Sequence, residues 1–363
     1  MNENDSLDGI SRRRFAIGSV VTSAIAMSSR VAAFEPTQKI RVGQIGTKHA
    51  HASGKIDTVR KLSDHFEVIG VVEEDATQRS KVENSASYRG LSWMTSEQLL
   101  AVPGLQLVLV ETEIDKLLET AEMSLAAGMH IHLDKPAGAS LDRWRRVTAL
   151  AAEKQRMIQM GYMFRSNPAF QFLFEAVKNG WLGEIFEVHG VISKQLAASE
   201  RAELARYRGG SMFELGCHLI DAVVKLLGKP TSISAFNRCT RPDFDTLRDN
   251  CLALFDYPRA TATVRSSLVE VNGGRRRQLS VCGSQGTIEI EPLEPPQLTL
   301  TLDRPQGKFQ KGTQVVELPK MGGRYDGDLL SFAAAIRGEQ VYDYPLQHDE
   351  IVQACVLQAS EML

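Results

Sequence analysis

Short apolar runs alternate with helix-length stretches through the first half of this chain, and that alternation restricts the fold more than any other feature. The runs lie at 39–45, 67–72, 105–110 and 129–133. A helical pattern follows the first from about Ala50 to Leu62, and another passes through Leu117, Leu118, Ala121 and Ala127. A third starts at Ser140, a residue able to cap it, and reaches Arg156 before an apolar segment at 157–162. Strands this short and this apolar, separated by helices, belong in a parallel sheet covered on both faces. After Tyr162 the pattern changes to a helix at 167–179, a strand at 184–194 and a helix at 212–227. Strand-like runs with turn signals then occupy 232–237, 250–256, 260–267, 277–282, 287–291 and 297–302, the signature of an antiparallel sheet. Helices at 326–337 and 348–363 close the chain. The expected fold is α/β: a doubly wound domain over 38–160, then an α+β domain with an open, mainly antiparallel sheet over 161–363, and a cleft between them.

The 363 residues suffice for two such cores. Lys and Arg number 42 against 44 Asp and Glu, a net charge of −2, which excludes an electrostatic nucleic-acid binder. Five cysteines, at 217, 239, 251, 282 and 355, show no zinc-type spacing and read as small, mostly buried apolar residues. The first 33 residues stand apart from the fold. Ser11-Arg12-Arg13-Arg14-Phe15-Ala16-Ile17 follows the twin-arginine export pattern, and Val31-Ala32-Ala33 offers a cleavage site. The apolar run from Ala16 to Met27 is shorter than the ~20 residues a membrane span needs. The chain is therefore expected to engage the twin-arginine translocase and to work in the periplasm.

The turn after the first run reads Gly43-Gln44-Ile45-Gly46-Thr47-Lys48-His49-Ala50-His51. In a doubly wound sheet, backbone amides at this position hold a nucleotide pyrophosphate at a helix N-terminus. Gly43, Gly46 and Thr47 are candidates for that contact. Lys48 stands where a second glycine would admit the phosphates, and offers an ammonium instead. Glu73 ends the second run, 27 positions after Gly46, where a carboxylate accepts hydrogen bonds from ribose hydroxyls. Glu74 and Asp75 follow it without an arginine, so NAD is expected rather than NADP. His49, His51, His130 and His132 raise the question of zinc or copper. His130 and His132, however, project from one face of a strand that starts away from the first turn, and no metal is expected.

Two further stretches can carry chemistry. The fourth run continues into Asp134-Lys135-Pro136, a carboxylate and an amine held at a strand end, with Pro136 ending the ladder. It is either a proton-transfer station or a surface ion pair. Beyond Gly209-Gly210, Glu214, His218 and Asp221 follow i, i+4, i+7 spacing on a helix and so share a face. A carboxylate can there orient an imidazole for acid–base work, and a salt-bridged stripe has the same spacing.

Together these stretches resemble the Gfo/Idh/MocA oxidoreductases, named for glucose–fructose oxidoreductase, inositol dehydrogenase and a rhizopine-catabolism protein. The match runs in order through Gly43-x-x-Gly46, Ala127-Gly128-Met129-His130 with Asp134-Lys135-Pro136, and Gly161-Tyr162-Met163-Phe164-Arg165-x-Asn167-Pro168. It continues through Gly209-Gly210 to Glu214-x-Gly216-x-His218-x-x-Asp221 and the Gly283-Ser-Gln-Gly286 turn. The resemblance implies a Rossmann domain followed by an open-sheet domain. It implies that Lys135 lies between nicotinamide and substrate, with Asp134 and Pro136 beside the cofactor and Asp134 standing for the family's glutamate. It implies that His218 removes the hydroxyl proton while hydride passes to nicotinamide, that Lys135 polarises the oxygen, and that Glu214 orients His218. Arg165 and Asp221 are then candidates for substrate contact. The family's Asn-x-x-His after the third apolar run is replaced here by Ile114 and Leu117.

The expectation is an exported NAD-dependent oxidoreductase acting on a hydroxyl of a sugar, cyclitol or glycoside, assembled as a homo-oligomer through the open sheet. Two alternatives remain open: an NAD-assisted glycosidase or lyase with no net redox change, and a cofactor-free carbohydrate-binding homologue.

Overall fold

The computed structural model describes residues 38–363, so the twin-arginine pattern and its cleavage site lie outside the described residues. The first half alternates β1 (Ile40–Ile45), α1 (Ala52–Lys61), β2 (Phe66–Val72), α2 (Ala76–Val82), β3 (Trp93–Met94), α3 (Ser96–Leu100) and β4 (Leu107–Val110). It continues through α4 (Ile114–Ala126), β5 (His130–Leu133), α5 (Leu141–Glu153) and β6 (Ile158–Met160). The six strands pair in parallel in the order β3-β2-β1-β4-β5-β6. All four residues of β4 are buried, as a strand covered on both faces must be. Ser140 caps α5, its Oγ accepting the Arg143 N–H at 3.3 Å. The strand order reverses between β1 and β4, and in such sheets a crevice opens there, outside the carboxyl ends of the strands.

The second half contains α6 (Pro168–Lys178), β7 (Ile185–Ser193), α7 (Ala198–Leu204), α8 (Cys217–Leu227), β8 (Ser232–Arg238), β9 (Asn250–Asp256) and β10 (Thr261–Ser267). After these come β11 (Gln278–Gly283), β12 (Gly286–Leu293), β13 (Pro296–Leu302), β14 (Gly312–Val316), α9 (Asp326–Ile336) and α10 (Leu346–Ala359). The eight strands are ordered β14-β13-β12-β11-β7-β10-β9-β8. Neighbours are antiparallel except β7 and β10, which run parallel with Val188 opposite Ala262. The sheet is thus mixed and mainly antiparallel, as expected. The short elements α2, α3, α7, β3 and β14 carry too few periodic residues for a pattern to declare them.

Helices α6 and α8 cover one face of the second sheet. The last two helices tie the halves together. Leu329, Phe332 and Ala333 of α9 pack among Ile40, Val42, Ile56 and Leu107 of the first sheet's layer. Burying a Leu or Phe in this way contributes about 1.5–3 kcal/mol each. Helix α10 lies against α5 and α8, and the Trp144 indole donates to the Asp349 carbonyl at 3.3 Å. Cys217, Cys251 and Cys355 are buried and Cys239 and Cys282 partly so. Among the described residues no helix is long and apolar enough to cross a membrane.

Candidate active site

The crevice at the β1–β4 reversal is a cavity of about 170 Å³ lined by Gly46, Lys48, Glu73, Asp75, Thr112 and Glu113 among others. Gly46 has φ +91°, and a Cβ there would lie 2.6 Å from the Thr112 nitrogen, so only glycine lets β1 turn this close to the end of β4. The Glu73 carboxylate accepts the Thr47 N–H at 3.0 Å and the Thr47 hydroxyl at 2.6 Å. Lys48 spans the opening, its Nζ 2.8 Å from Asp75 and 2.9 Å from Glu113. Hydrogen bonds to those two carboxylates raise the Lys48 pKa above its ordinary value.

Lys135 follows β5 and crosses to the second half of the chain. Its Nζ donates to the Glu214 carbonyl at 2.7 Å and lies 3.5 Å from the Glu214 carboxylate. Lys194, at the end of β7, approaches the other Glu214 oxygen at 3.4 Å. Burial would raise the Glu214 pKa, but the two ammonium groups outweigh it and hold the carboxyl down at about 2. Burial likewise pulls Lys135 down, and the charges of Glu214, Cys217 and Asp134 together, Glu214 foremost, more than compensate, leaving its pKa raised. His218 is 2% exposed, packed edge-on against Tyr162 and Phe164. Burial first, then Lys135, His51 and Arg324, drive its pKa far below the ordinary imidazole value, so it is neutral. Its Nδ1 is buried and makes no hydrogen bond among the described residues.

Beneath Lys135 lies a buried polar cluster. The His51 Nδ1 sits 3.1 Å from both Asp134 oxygens, and the His49 Nδ1 lies 3.3 Å from Asp134 and 3.7 Å from Glu111. Burial lowers His49 to about 4. Burial and the Asp134 charge push Glu111 well above the carboxylate range, while the neighbouring histidines hold Asp134 well below it. The buried Lys55 amine meets the His132 Nε2 at 2.5 Å, and the His132 Nδ1 reaches the Gln159 carbonyl at 2.9 Å. Burial, then Lys55, lowers His132 to about 3.

Comparison with known proteins shows what built this arrangement. Residues 40–162 match the GFO/IDH/MocA oxidoreductase family's NAD-binding Rossmann fold, and residues 170–289 match a GFO/IDH/MocA C-terminal domain. The chain belongs to the Gfo/Idh/MocA oxidoreductase family. It is 24% identical over 309 residues to an inositol 2-dehydrogenase of Pseudomonas fluorescens, covering 83% of this chain and 88% of that one. It is 25% identical over 201 residues to the trans-1,2-dihydrobenzene-1,2-diol dehydrogenase of Sus scrofa, covering 55% and 58%. The chain spans about half the length of other curated relatives, 48% of an uncharacterised Schizosaccharomyces pombe oxidoreductase and 56% of the Escherichia coli oxidoreductase YdgJ. Its fold is that of UDP-N-acetylglucosamine 3-dehydrogenase GnnA from Acidithiobacillus ferrooxidans, with a TM-score of 0.73, 18% identity and coverage of 90% and 98%.

Several residues of this Gfo/Idh/MocA chain sit where the sequence did not put them. Gly43 lies inside β1 beneath Leu99, whose methyls would be 2.7 Å from a Cβ, so it serves packing rather than the crevice. Ile114 and Leu117 are core residues of α4, and Thr112 and Glu113 line the crevice in that turn. Glu214 does not orient His218. Residues Met212–Gly216 form one π-helical turn, whose wider winding breaks the i, i+4 register and sends Glu214 to the lysines. Asp221 does not join them either: it pairs with Arg165 at 2.6 Å and His348 at 3.0 Å. Arg165 also bonds Asp349 at 2.5 Å and stacks on Tyr344, so Asp221 is engaged by protein, and of the Arg165 guanidinium only Nη1 is left without a partner among the described residues. Asp134 is fully buried and turned to the histidines, not to the crevice. Pro136 follows in the same buried turn. Lys194 and Glu111 escaped the sequence reading as site residues. Each ends an apolar strand, the same signal that drew attention to Glu73.

Proposed function

We propose that this chain is an exported, NAD-dependent oxidoreductase that moves hydride at a secondary hydroxyl of a sugar, cyclitol or glycoside. The observation that carries the reading is the pairing of Lys135, at the end of the Rossmann strand β5, with the ionised Glu214 in the turn before α8, with the neutral His218 at the start of α8 under the same charge. An acid, a base and a fixed charge from the two halves converge where water is nearly excluded. Relatives named for inositol and for UDP-N-acetylglucosamine support a polyhydroxylated substrate. The twin-arginine pattern at 11–17 supports export of the folded chain to the periplasm with its cofactor already held.

The crevice residues suit a dinucleotide. Glu73 at the end of β2 would take the adenosine ribose, Gly46 leaves the turn open, and Lys48 supplies an ammonium for a phosphate. Glu73, Glu74 and Asp75 would repel a 2′-phosphate, which favours NAD over NADP. When bound, nicotinamide accepts or returns the hydride. His218 takes the hydroxyl proton at Nε2, because Nδ1 is sealed away. Lys135 donates from Nζ to the oxygen as it gains carbonyl character, and Glu214 keeps that amine protonated.

One observation favours the cofactor-free carbohydrate-binding reading. Lys48 already bridges Asp75 and Glu113, and the Thr47 amide is engaged by Glu73, so a pyrophosphate must displace protein contacts. Those ion pairs are exposed ones, each worth about 0–1 kcal/mol, and are readily exchanged. The test is to denature the purified protein, identify any released nucleotide, and titrate NAD by calorimetry. Released or bound NAD supports the proposal, and neither would leave the binding-protein reading. With NAD bound, Lys135→Met should lower kcat on the order of 10²–10⁴-fold with unchanged circular dichroism. Glycoside cleavage without net NADH would instead select the redox-assisted glycosidase or lyase.

A further inference from the structure

We propose that His49, His51 and Asp134, closed from beneath by Glu111, form a site for one zinc-type divalent transition-metal ion. Ligand atoms of the first three all lie within 4.8 Å of one another. The His49 Nδ1 is 3.3 Å and the His51 Nδ1 3.1 Å from the Asp134 Oδ2, and the His49 Nδ1 is 3.7 Å from the Glu111 Oε2. An ion bound at ~2.0–2.2 Å in a tetrahedron separates its donors by roughly 3.3–3.6 Å, and the two Asp134 spacings lie near that edge, while Glu111 stands beside the trio rather than within it. Two imidazoles with two carboxylates are donors that zinc accepts.

Hydrogen-bond direction points the same way. The His49 Nε2 faces the Lys135 carbonyl at 3.3 Å, an atom that can only accept, so the ring hydrogen belongs on Nε2. The His51 N–H meets the His49 Nδ1 at 3.3 Å, as it would a lone pair. The same nitrogen lies 3.3 Å from Asp134 and 3.7 Å from Glu111, so an ion among them would take that lone pair in place of the His51 N–H. Glu111 is 0% exposed, and neither of its oxygens makes a hydrogen bond among the described residues. The buried Lys55 amine makes its contacts with His132 and the Tyr325 ring rather than with Glu111. Outer contacts of the kind that orient metal ligands are present: His49 donates to the Lys135 carbonyl, and the Lys135 N–H donates to Asp134 at 2.7 Å. The other histidine–carboxylate cluster, Asp221, His348 and Asp349, already contains a cation, the Arg165 guanidinium.

An ion at this site would sit next to the peptide of Lys135, the residue whose amine reaches Glu214. It would also give His49 and His51 a role at a turn where this fold ordinarily keeps glycine.

The test uses the tag-free full chain, stripped with a chelator and dialysed against Zn²⁺ alone, with bound metal counted by plasma mass spectrometry. One ion per chain is expected, along with the visible bands of tetrahedral cobalt when Co²⁺ replaces Zn²⁺. The double variant His49→Ala, His51→Ala should lose both signals, and the shape-conserving Glu111→Gln should weaken binding at least about tenfold. His348→Ala should bind as the parent does. No stoichiometric metal in the parent, or undiminished metal in the folded Glu111→Gln and double variants, overturns the site and leaves a proton shared by Glu111 and Asp134 as its content. These readouts do not involve nicotinamide, so this inference and the proposed activity fail separately.

Discussion

Glu214 holds the two ammonium groups of the cleft in place, and its charge sets the protonation of the amine the reaction needs. With its own pKa near 2 it stays ionised throughout the working range. His218 is held neutral well below the ordinary imidazole value, so the base does not lose competence as pH falls through about 6.5. An alkaline limb therefore belongs to Lys135, whose raised pKa rests on Glu214 against the opposing effect of burial. Glu214→Gln removes the largest of the raising influences and leaves burial in place, so the Lys135 pKa must fall. The alkaline limb of kcat/KM should move to lower pH by about one to two units, with little change on the acid side. An unmoved limb would show that Lys135 is not the group being titrated.

The element that presents this chemistry is the π-helical turn Met212–Gly216, and it is entered through Gly210. Gly210 has φ +54°, and a Cβ there would collide with the Arg248 carbonyl that accepts the Ser211 N–H. Gly210→Ala should cost about 2–3 kcal/mol of unfolding free energy, measured by urea titration, and should lower activity in the fraction that remains folded. Near-parental stability would mean that the turn does not depend on this backbone conformation. The turn also marks the limit of what sequence could reveal. Apolar runs such as Leu107–Val110 declare a doubly buried strand, because no other environment accepts them, and Asp134-Lys135-Pro136 stood out as charge at the end of one. A single inserted residue in a helix changes no periodicity over so short a span, yet it decides whether Glu214 faces His218 or Lys135. Arg165 and Asp221 were visible as chemistry-bearing side chains, but only tertiary packing brings them to each other and to Asp349, residues that are 56 and 184 positions from Arg165. Long-range ion pairing of this kind leaves no local pattern.

At the scale of the molecule, the second sheet has one face covered by helices and one without them. Asn237 of β8 points to the covered side, its amide donating to the Ala359 carbonyl of α10, so Phe236 points away. Phe236 is 50% exposed and Leu254 of β9 38% exposed, and Phe236 stands opposite the half-buried Leu252 across the β8–β9 ladder. A band of apolar side chains on a flat sheet face is unfavourable in water, and soluble chains usually cover one with another surface. The face is shared by every copy of the chain, so a twofold pairing lets each cover the other, and we propose a homo-oligomer closed there. Size-exclusion chromatography with light scattering should return a multiple of the chain mass. Phe236→Glu with Leu254→Glu should reduce it to a single chain without altering far-ultraviolet circular dichroism, because both side chains project away from the core. A parent protein that runs at the mass of one chain would remove the oligomer and leave the band to be explained by another partner.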